Sequence, residues 1–337
     1  MAMRLKGLVS ICDAVGPRSV YPVSVRVSLL ILASMSTACS DYQVVKQTFT
    51  ETFNQPAREE GIDILWVVDD SATMYEEHDL LVDSADAFIG FVSNSSVDFR
   101  LGVIGTDAEE NAGELHGPML TPDSTNMVQT FSDQIALEFV GSRNERGFDA
   151  AILGADPSFN TEFAREKADL EIVFFSDEDD HSEMDAVEFL STIQSQRPTA
   201  QIKAHAVVGD PPQGCVSALA AADAGTKYLD VQAATDGRRE SICTLDYGAM
   251  LARVALDVIG LETEFALSKV PQVPTIELLV NGVEIHERRR DGWWYNPGDN
   301  TLRFDGFAVP PPGSVIELTY SEWYGPLQEE TEEDTGL

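Results

Sequence analysis

The chain has 337 residues and a formal net charge of −35, with 22 Lys and Arg set against 57 Asp and Glu. A surface of that sign repels nucleic acid and anionic lipid, which excludes a protein that holds either through a broad basic face. At 43% hydrophobic residues there is enough apolar material for a packed core, so general disorder is excluded too.

Residues 1–38 read as an export leader. Arg4, Lys6, Arg18 and Arg26 precede an apolar run over 27–38. As a helix that run spans roughly 18 Å, short of a bilayer core of about 30 Å, and the whole matches a secretory signal. Ser36-Thr37-Ala38-Cys39 resembles the bacterial lipobox, with Ser36 where that pattern has Leu, Val or Ile. The resemblance implies lipidation of Cys39 and a place at the outer membrane or cell surface; a periplasmic or secreted protein is the alternative. Cys12 leaves with the leader. Cys215 and Cys243, in an oxidising compartment, are expected to form a disulfide.

Residues 39–60 are polar, without apolar periodicity, and read as a tether. Over 61–265 strand and helix patterns alternate. Ile62–Val68 is a nearly continuous apolar run, as a central parallel strand requires. A helix over 74–92 puts Leu81, Ala85, Phe88 and Val92 on one stripe. Then come a strand at Phe99–Gly105, a short edge strand over 113–120, a helix over 127–139 and a buried strand over 170–175. A helix carrying Val187, Leu190 and Ile193 follows, with strands at Ile202–Val208 and 227–231. Tyr247, Met250, Leu251, Val254, Val258 and Leu261 mark a last amphipathic helix. The alternation predicts an α/β fold: a doubly wound, mostly parallel sheet.

Residues 266–325 change to short strands punctuated by Asn281-Gly282, Asp291-Gly292 and Asp305-Gly306, a second, smaller all-β domain. In Trp293-Trp294, alternation lets only one ring enter the core. Arg288-Arg289-Arg290, the one basic run, is expected to pair with internal carboxylates. Residues 326–337 form an acidic tail expected to be disordered.

The chemistry concentrates where the first strand of the alternating region ends, at Asp69-Asp70-Ser71-Ala72-Thr73. A carboxylate and two hydroxyls at alternate positions can converge on one hard cation; the same residue types also serve as helix N-caps. An apolar strand feeding D-x-S-x-[ST] resembles the metal-ion-dependent adhesion site (MIDAS) of von Willebrand factor type A domains, and Phe174-Phe175-Ser176-Asp177 matches the strand end that supplies its second aspartate. The resemblance implies that Ser71 and Thr73 bind Mg²⁺ or Ca²⁺ (Mn²⁺ also fits) directly, and that Asp69 and Asp177 do so directly or through water. It further implies a threonine on an intervening loop. The loop over 141–147 has none, leaving Ser142, Asn144 or Glu145 as substitutes. Thr106 and Asp107 read as turn residues, with a place lining the site as the alternative.

Asp177, Asp179, His181, Glu183, Asp185 and Glu188 have the spacing of an EF-hand loop, but Ser182 stands where the loop needs glycine. His205, inside a strand, reads as a packed residue rather than a base. G-x-S-x-G, H-E-x-x-H, G-x-x-x-x-G-K-[ST] and G-x-G-x-x-G are all missing, so catalysis is not expected. The expectation is cation-dependent binding of a protein that supplies an acidic side chain to the metal. The alternatives are a structural envelope protein with a degenerate site and a calcium-stabilised scaffold.

Overall fold

The computed structural model describes residues 47–56, 61–107, 112–136 and 145–323. The leader, Cys39, Ser142, Asn144 and the acidic tail lie outside them.

Five parallel strands form the central sheet in the order β3-β2-β4-β5-β8, with β2 Ile62–Val68, β3 Phe99–Gly105, β4 Asp169–Phe175, β5 Ile202–Val208 and β8 Arg239–Ser241. Side chains alternate across a strand, so β2 faces two ways. Ile62, Ile64, Trp66 and Val68 enter one core with α1 (Tyr75–Asp83), α2 (Ala85–Asn94), α3 (Met127–Ile135) and α7 (Tyr247–Val258). Leu65 and Val67 enter a second core with α4 (Gly147–Gly154), α5 (Ala186–Gln196) and α6 (Thr226–Thr235). Helices on both faces of a parallel sheet make the doubly wound α/β architecture that the alternation predicts. Trp66 anchors the first core, edge-on to Phe88 and Phe131 at 5.0 and 5.4 Å between ring centroids. Such contacts add about 0.5–1.5 kcal/mol each beyond area burial.

Two antiparallel sheets form the smaller β part. One has the order β1-β14-β10-β11, with β1 Thr48–Asn54, β10 Glu277–Val280, β11 Val283–Glu284 and β14 Val315–Ser321. The other is β12-β13-β9, with β9 Glu264–Ala266, β12 Gly292–Asn296 and β13 Thr301–Asp305. Asn281 and Gly282 take φ of +51° and +79°, as a two-residue hairpin turn requires. Trp293 is buried, its Nε1–H donating to the Ile285 carbonyl at 2.6 Å. Trp294 lies beneath the guanidinium groups of Arg289 and Arg303.

Several elements depart from the sequence expectation. Thr48–Asn54 is a strand along the whole of β14 rather than part of a tether; only Phe49 and Phe53 carry its apolar face, too few to stand out. Residues 227–231 lie in α6, because the buried pair Tyr228 and Val231 has helical i, i+3 spacing. The fifth parallel strand is the polar β8. Residues 113–120 form no strand: Gly117, at φ +78°, and Pro118 interrupt it, leaving an isolated bridge between Leu120 and Leu101. The helix over 74–92 breaks at Ser84 into α1 and α2, though its predicted stripe stays buried. Helix α5 buries Phe189 and Ile193, while Val187, in the first turn, is 77% exposed. Arg288, Arg289 and Arg290 make no ion pair among the described residues; their segment is exposed, and Arg289 instead covers Trp294.

A short hairpin, β6 (Cys215–Val216) with β7 (Ala221–Ala222), stands apart from these sheets. Cys215 is disulfide-bonded to Cys243, just beyond β8, as expected.

Candidate metal centre

The chain leaves β2 towards β3 and leaves β4 towards β5 on the other side, so the loops after β2 and β4 part over a crevice. Open α/β sheets place their ligands there. The pairing of Val68 with Phe175 and the bond from Asp69 N–H to the Phe175 carbonyl, 2.9 Å, set the two predicted aspartate-bearing ends side by side.

Asp69 is fully buried. Its Oδ1 accepts from the Ser71 backbone N–H at 2.9 Å and its Oδ2 from the Ser176 hydroxyl at 2.6 Å. The Ser71 and Thr73 hydroxyls lie 2.8 Å apart, and Thr73 Oγ1 donates to Asp177 Oδ1 at 3.4 Å. Neither hydroxyl caps the helix that follows. Ser71, Thr73 and Asp177 therefore form one chain of oxygens, which Asp69 joins only through the Ser71 backbone N–H, and the capping alternative holds only for that Asp69 contact. Thr73 and Asp177 line an open cleft of about 470 Å³, whose opposite wall is the disulfide-bonded hairpin from Gln213 to Asp223.

Of the three substitutes for the loop threonine, Glu145 is described, and it enters the cluster. Asp69, Asp70 and Glu145 each bring a carboxylate oxygen within 4.8 Å of the others, an arrangement that can hold a metal ion. Thr106, at the end of β3, is buried between Asp70 and Glu145 and hydrogen-bonded to both, so it belongs to the cluster rather than to a plain turn. Asp70 is the residue that sequence reasoning missed, and Thr106 the one it weighed but preferred to read as a turn. Asp70 was visible as the second acid of the motif, whereas Thr106 depends on β3 lying beside β2.

No Lys or Arg pairs with Asp69, Asp70, Glu145 or Asp177 among the described residues. Burial, reinforced by the charge of Asp69, pushes the Glu145 carboxyl up to about 8 and that of Asp177 up to about 7. Asp70 is raised as well, chiefly by burial. All donors are hard oxygens with no basic partner among the described residues, which fits a divalent cation such as Ca²⁺ or Mg²⁺.

The same shifts fix a pH dependence. In chelator, the folded chain holds protons on Glu145 and Asp177 that the unfolded chain has released, so stability is present at low pH and is lost as pH rises through 7 and 8. Buried His78 and half-buried His116 are shifted down by desolvation and act in the opposite sense near and below pH 6.5. Between pH 6.5 and 8.5 in EDTA, the free energy from urea unfolding should fall by about 2 kcal/mol. A flat or rising profile would contradict the arrangement.

The EF-hand spacing dissolves into ordinary structure. Asp185 caps α5 by accepting from the N–H groups of Val187 and Glu188, both at 2.9 Å. Asp179 accepts from the Lys227 N–H at 2.8 Å. His205 is buried: its Nδ1 accepts from the Arg238 N–H at 2.9 Å, so Nε2 carries the hydrogen donated to Glu171.

No family model matches the chain, and no curated protein matches it. Among solved structures it is similar to the pilus adhesin SpaC of Lactobacillus rhamnosus GG in its open conformation, at 12% identity and a TM-score of 0.45, over 81% of this chain and 40% of that one. The pilus adhesin RrgA of Streptococcus pneumoniae matches at 10% identity and 0.36, over 83% and 60%. Proximal thread matrix protein 1 of the mussel byssus matches at 11% and 0.41, over 64% and 51%. The chain spans about 40% of the length of SpaC.

Proposed function

We propose that the protein is exported and anchored at the cell surface through a lipid on Cys39, and that its α/β domain, of the von Willebrand factor type A kind, binds a protein partner through a divalent cation. One observation carries this reading: Ser71, Thr73 and Asp177 form a chain of hydroxyl and carboxylate oxygens that meets an open cleft at the sheet's switch point. A cation held there on the cleft side, with one coordination position open, accepts a carboxylate from a partner. The rigid strand ends fix the geometry, and the cleft walls supply selectivity. The Cys215–Cys243 disulfide supports an oxidising, extracytoplasmic location.

The test is calorimetric titration of Mg²⁺, Ca²⁺ and Mn²⁺ into the full chain and its Thr73→Ala variant. A binding event in the parent should weaken at least tenfold in the variant, a loss of about 1.4 kcal/mol or more. Unchanged binding would remove the cleft-side cation, and the partner reading with it. A second reading, in which a cation serves folding alone, is favoured by one observation, the complete burial of Glu145.

A further inference from the structure

The oxygens around Asp69 fall into two groups that face different surroundings. Thr73 and Asp177 look onto the cleft. Asp70, Thr106 and Glu145 are buried and are not among the residues lining that cleft. This second group comes from three separate segments: the loop after β2, the end of β3 and the residue that leads towards α4.

Its hydrogen-bond accounting does not close. Thr106 has one hydroxyl hydrogen, yet its oxygen lies within reach of both Asp70 and Glu145. Whichever carboxylate it serves, the other lacks that donor. Glu145 Oε1, on a fully buried residue, has no N–H or hydroxyl donor among the described residues, and its carboxyl group faces the Asp70 carboxyl group instead. An unpaired buried carboxylate oxygen is costly unless something positive meets it. Asp69 can contribute here as well, because each of its oxygens accepts a hydrogen bond and a carboxylate oxygen has two lone pairs.

We infer that Asp69, Asp70 and Glu145 hold a second, enclosed cation, distinct from the one on the cleft side, with Thr106 as a neutral oxygen ligand. The carboxylate oxygens lie within 4.8 Å of one another, the greatest separation that two ligands of one Ca²⁺ at about 2.4 Å can have. Mg²⁺, at about 2.1 Å, would need them drawn closer, so Ca²⁺ is the better fit. Gly105 leaves room for this arrangement, since a Cβ there would stand 2.7 Å from Asp70 Oδ2. Enclosed by the three segments, this ion ties them together and offers nothing to a partner. Asp69 bridges the two positions, so the centre is dinuclear, with one ion for stability and one for binding.

The experiment uses the full chain, its Glu145→Gln variant (close to isosteric) and its Thr73→Ala variant. Ca²⁺ per chain is measured by equilibrium dialysis, and the unfolding midpoint is measured in Ca²⁺ and in EDTA. The parent should bind two ions and each variant one. The midpoint shift between Ca²⁺ and EDTA should persist in Thr73→Ala and shrink by more than half in Glu145→Gln. One ion in the parent, lost in both variants, would mean a single shared centre and overturn the inference. Two ions retained by Glu145→Gln, or a midpoint that ignores Ca²⁺ in every form, would overturn it as well. If Glu145→Gln lacks the parent's far-ultraviolet circular dichroism, Asp70→Asn takes its place with the same expected outcomes. Failure of the cleft-side reading looks different: Thr73→Ala would then bind as many ions as the parent.

Discussion

Asp63→Ala should destabilise the fold by about 3–5 kcal/mol while leaving cation binding by the folded protein unchanged. Asp63 is fully buried at the start of β2. Its Oδ1 accepts from Arg165 Nε at 2.7 Å, and its Oδ2 accepts from the Arg165 backbone N–H at 2.7 Å and from Arg197 Nη2 at 2.6 Å. The Arg197 side chain is fully buried as well, and burial lowers its pKa despite the opposing pull of Asp63. Its Nε and Nη1 have no partner. Removing Asp63 therefore strands a guanidinium in the interior with its main compensation gone, which is the costly way to break a buried pair. Asp63 and Asp69 stand at opposite ends of one seven-residue strand, about 20 Å apart, so the cation centre should not register the change. Urea unfolding measures the first half of this expectation and calorimetry the second. A companion variant, Asp63→Leu with Arg197→Met, should recover most of the loss, because it removes both charges together. A loss below about 1 kcal/mol for Asp63→Ala would mean that water reaches Arg197 and that the pair is not buried in solution.

Replacing both Cys215 and Cys243 with serine should cost about 3–4 kcal/mol. The bond joins residues 28 apart in sequence, and on the chain-entropy account closing such a loop removes that much freedom from the unfolded chain. It also has a consequence in the folded state. Cys215 forms part of the wall opposite Thr73 and Asp177, and the disulfide fastens that wall to the segment just after β8. Further tethers remain at the hairpin, where buried Glu77 on α1 accepts from the Ala221 N–H at 3.2 Å and the Asp177 carbonyl accepts from the Asp223 N–H at 2.8 Å. Urea unfolding of the double variant, beside the parent in reductant, reads the stability directly. If the variant matches the oxidised parent within about 0.5 kcal/mol, the loop is already constrained without the disulfide and the entropic account fails here.

The positions of Asp63 and Arg197 show where sequence reasoning stops. Ile62–Val68 reads as an apolar strand, and so it is, but an aspartate within it reveals nothing of a partner 134 residues away. The site divides along the same line. Asp69, Ser71 and Thr73 are local: once the apolar strand ends, their alternate spacing places a carboxylate and two hydroxyls on one loop, whatever else the chain does. Asp177 was legible because it follows a second apolar strand of the same kind. Glu145 stood in the sequence as one of three equivalent substitutes, and its place beside Asp69 and Asp70 depends on the approach of its segment to β2.

What the sequence determined by itself is therefore the part governed by short-range periodicity. It specified the parallel strands with continuous apolar runs, the stripe over Leu81, Ala85, Phe88 and Val92, the last helix, the Asn281-Gly282 turn and the two strand ends that bear Asp69 and Asp177. Tertiary structure decided the rest, because the signals there are weak or distant. Strand β8 is three polar residues that become a strand only by pairing with the edge of β5. Strand β1 has two apolar side chains and is defined by β14, more than 260 residues further on. Residues 226–235 have too few apolar positions to separate a helix from a strand locally, and packing of Tyr228 and Val231 against β4 and β5 settles it. Asp70 and Thr106 acquire a role only because parallel pairing sets the end of β3 beside the end of β2, which brings the Thr106 hydroxyl and two carboxylates into one buried space.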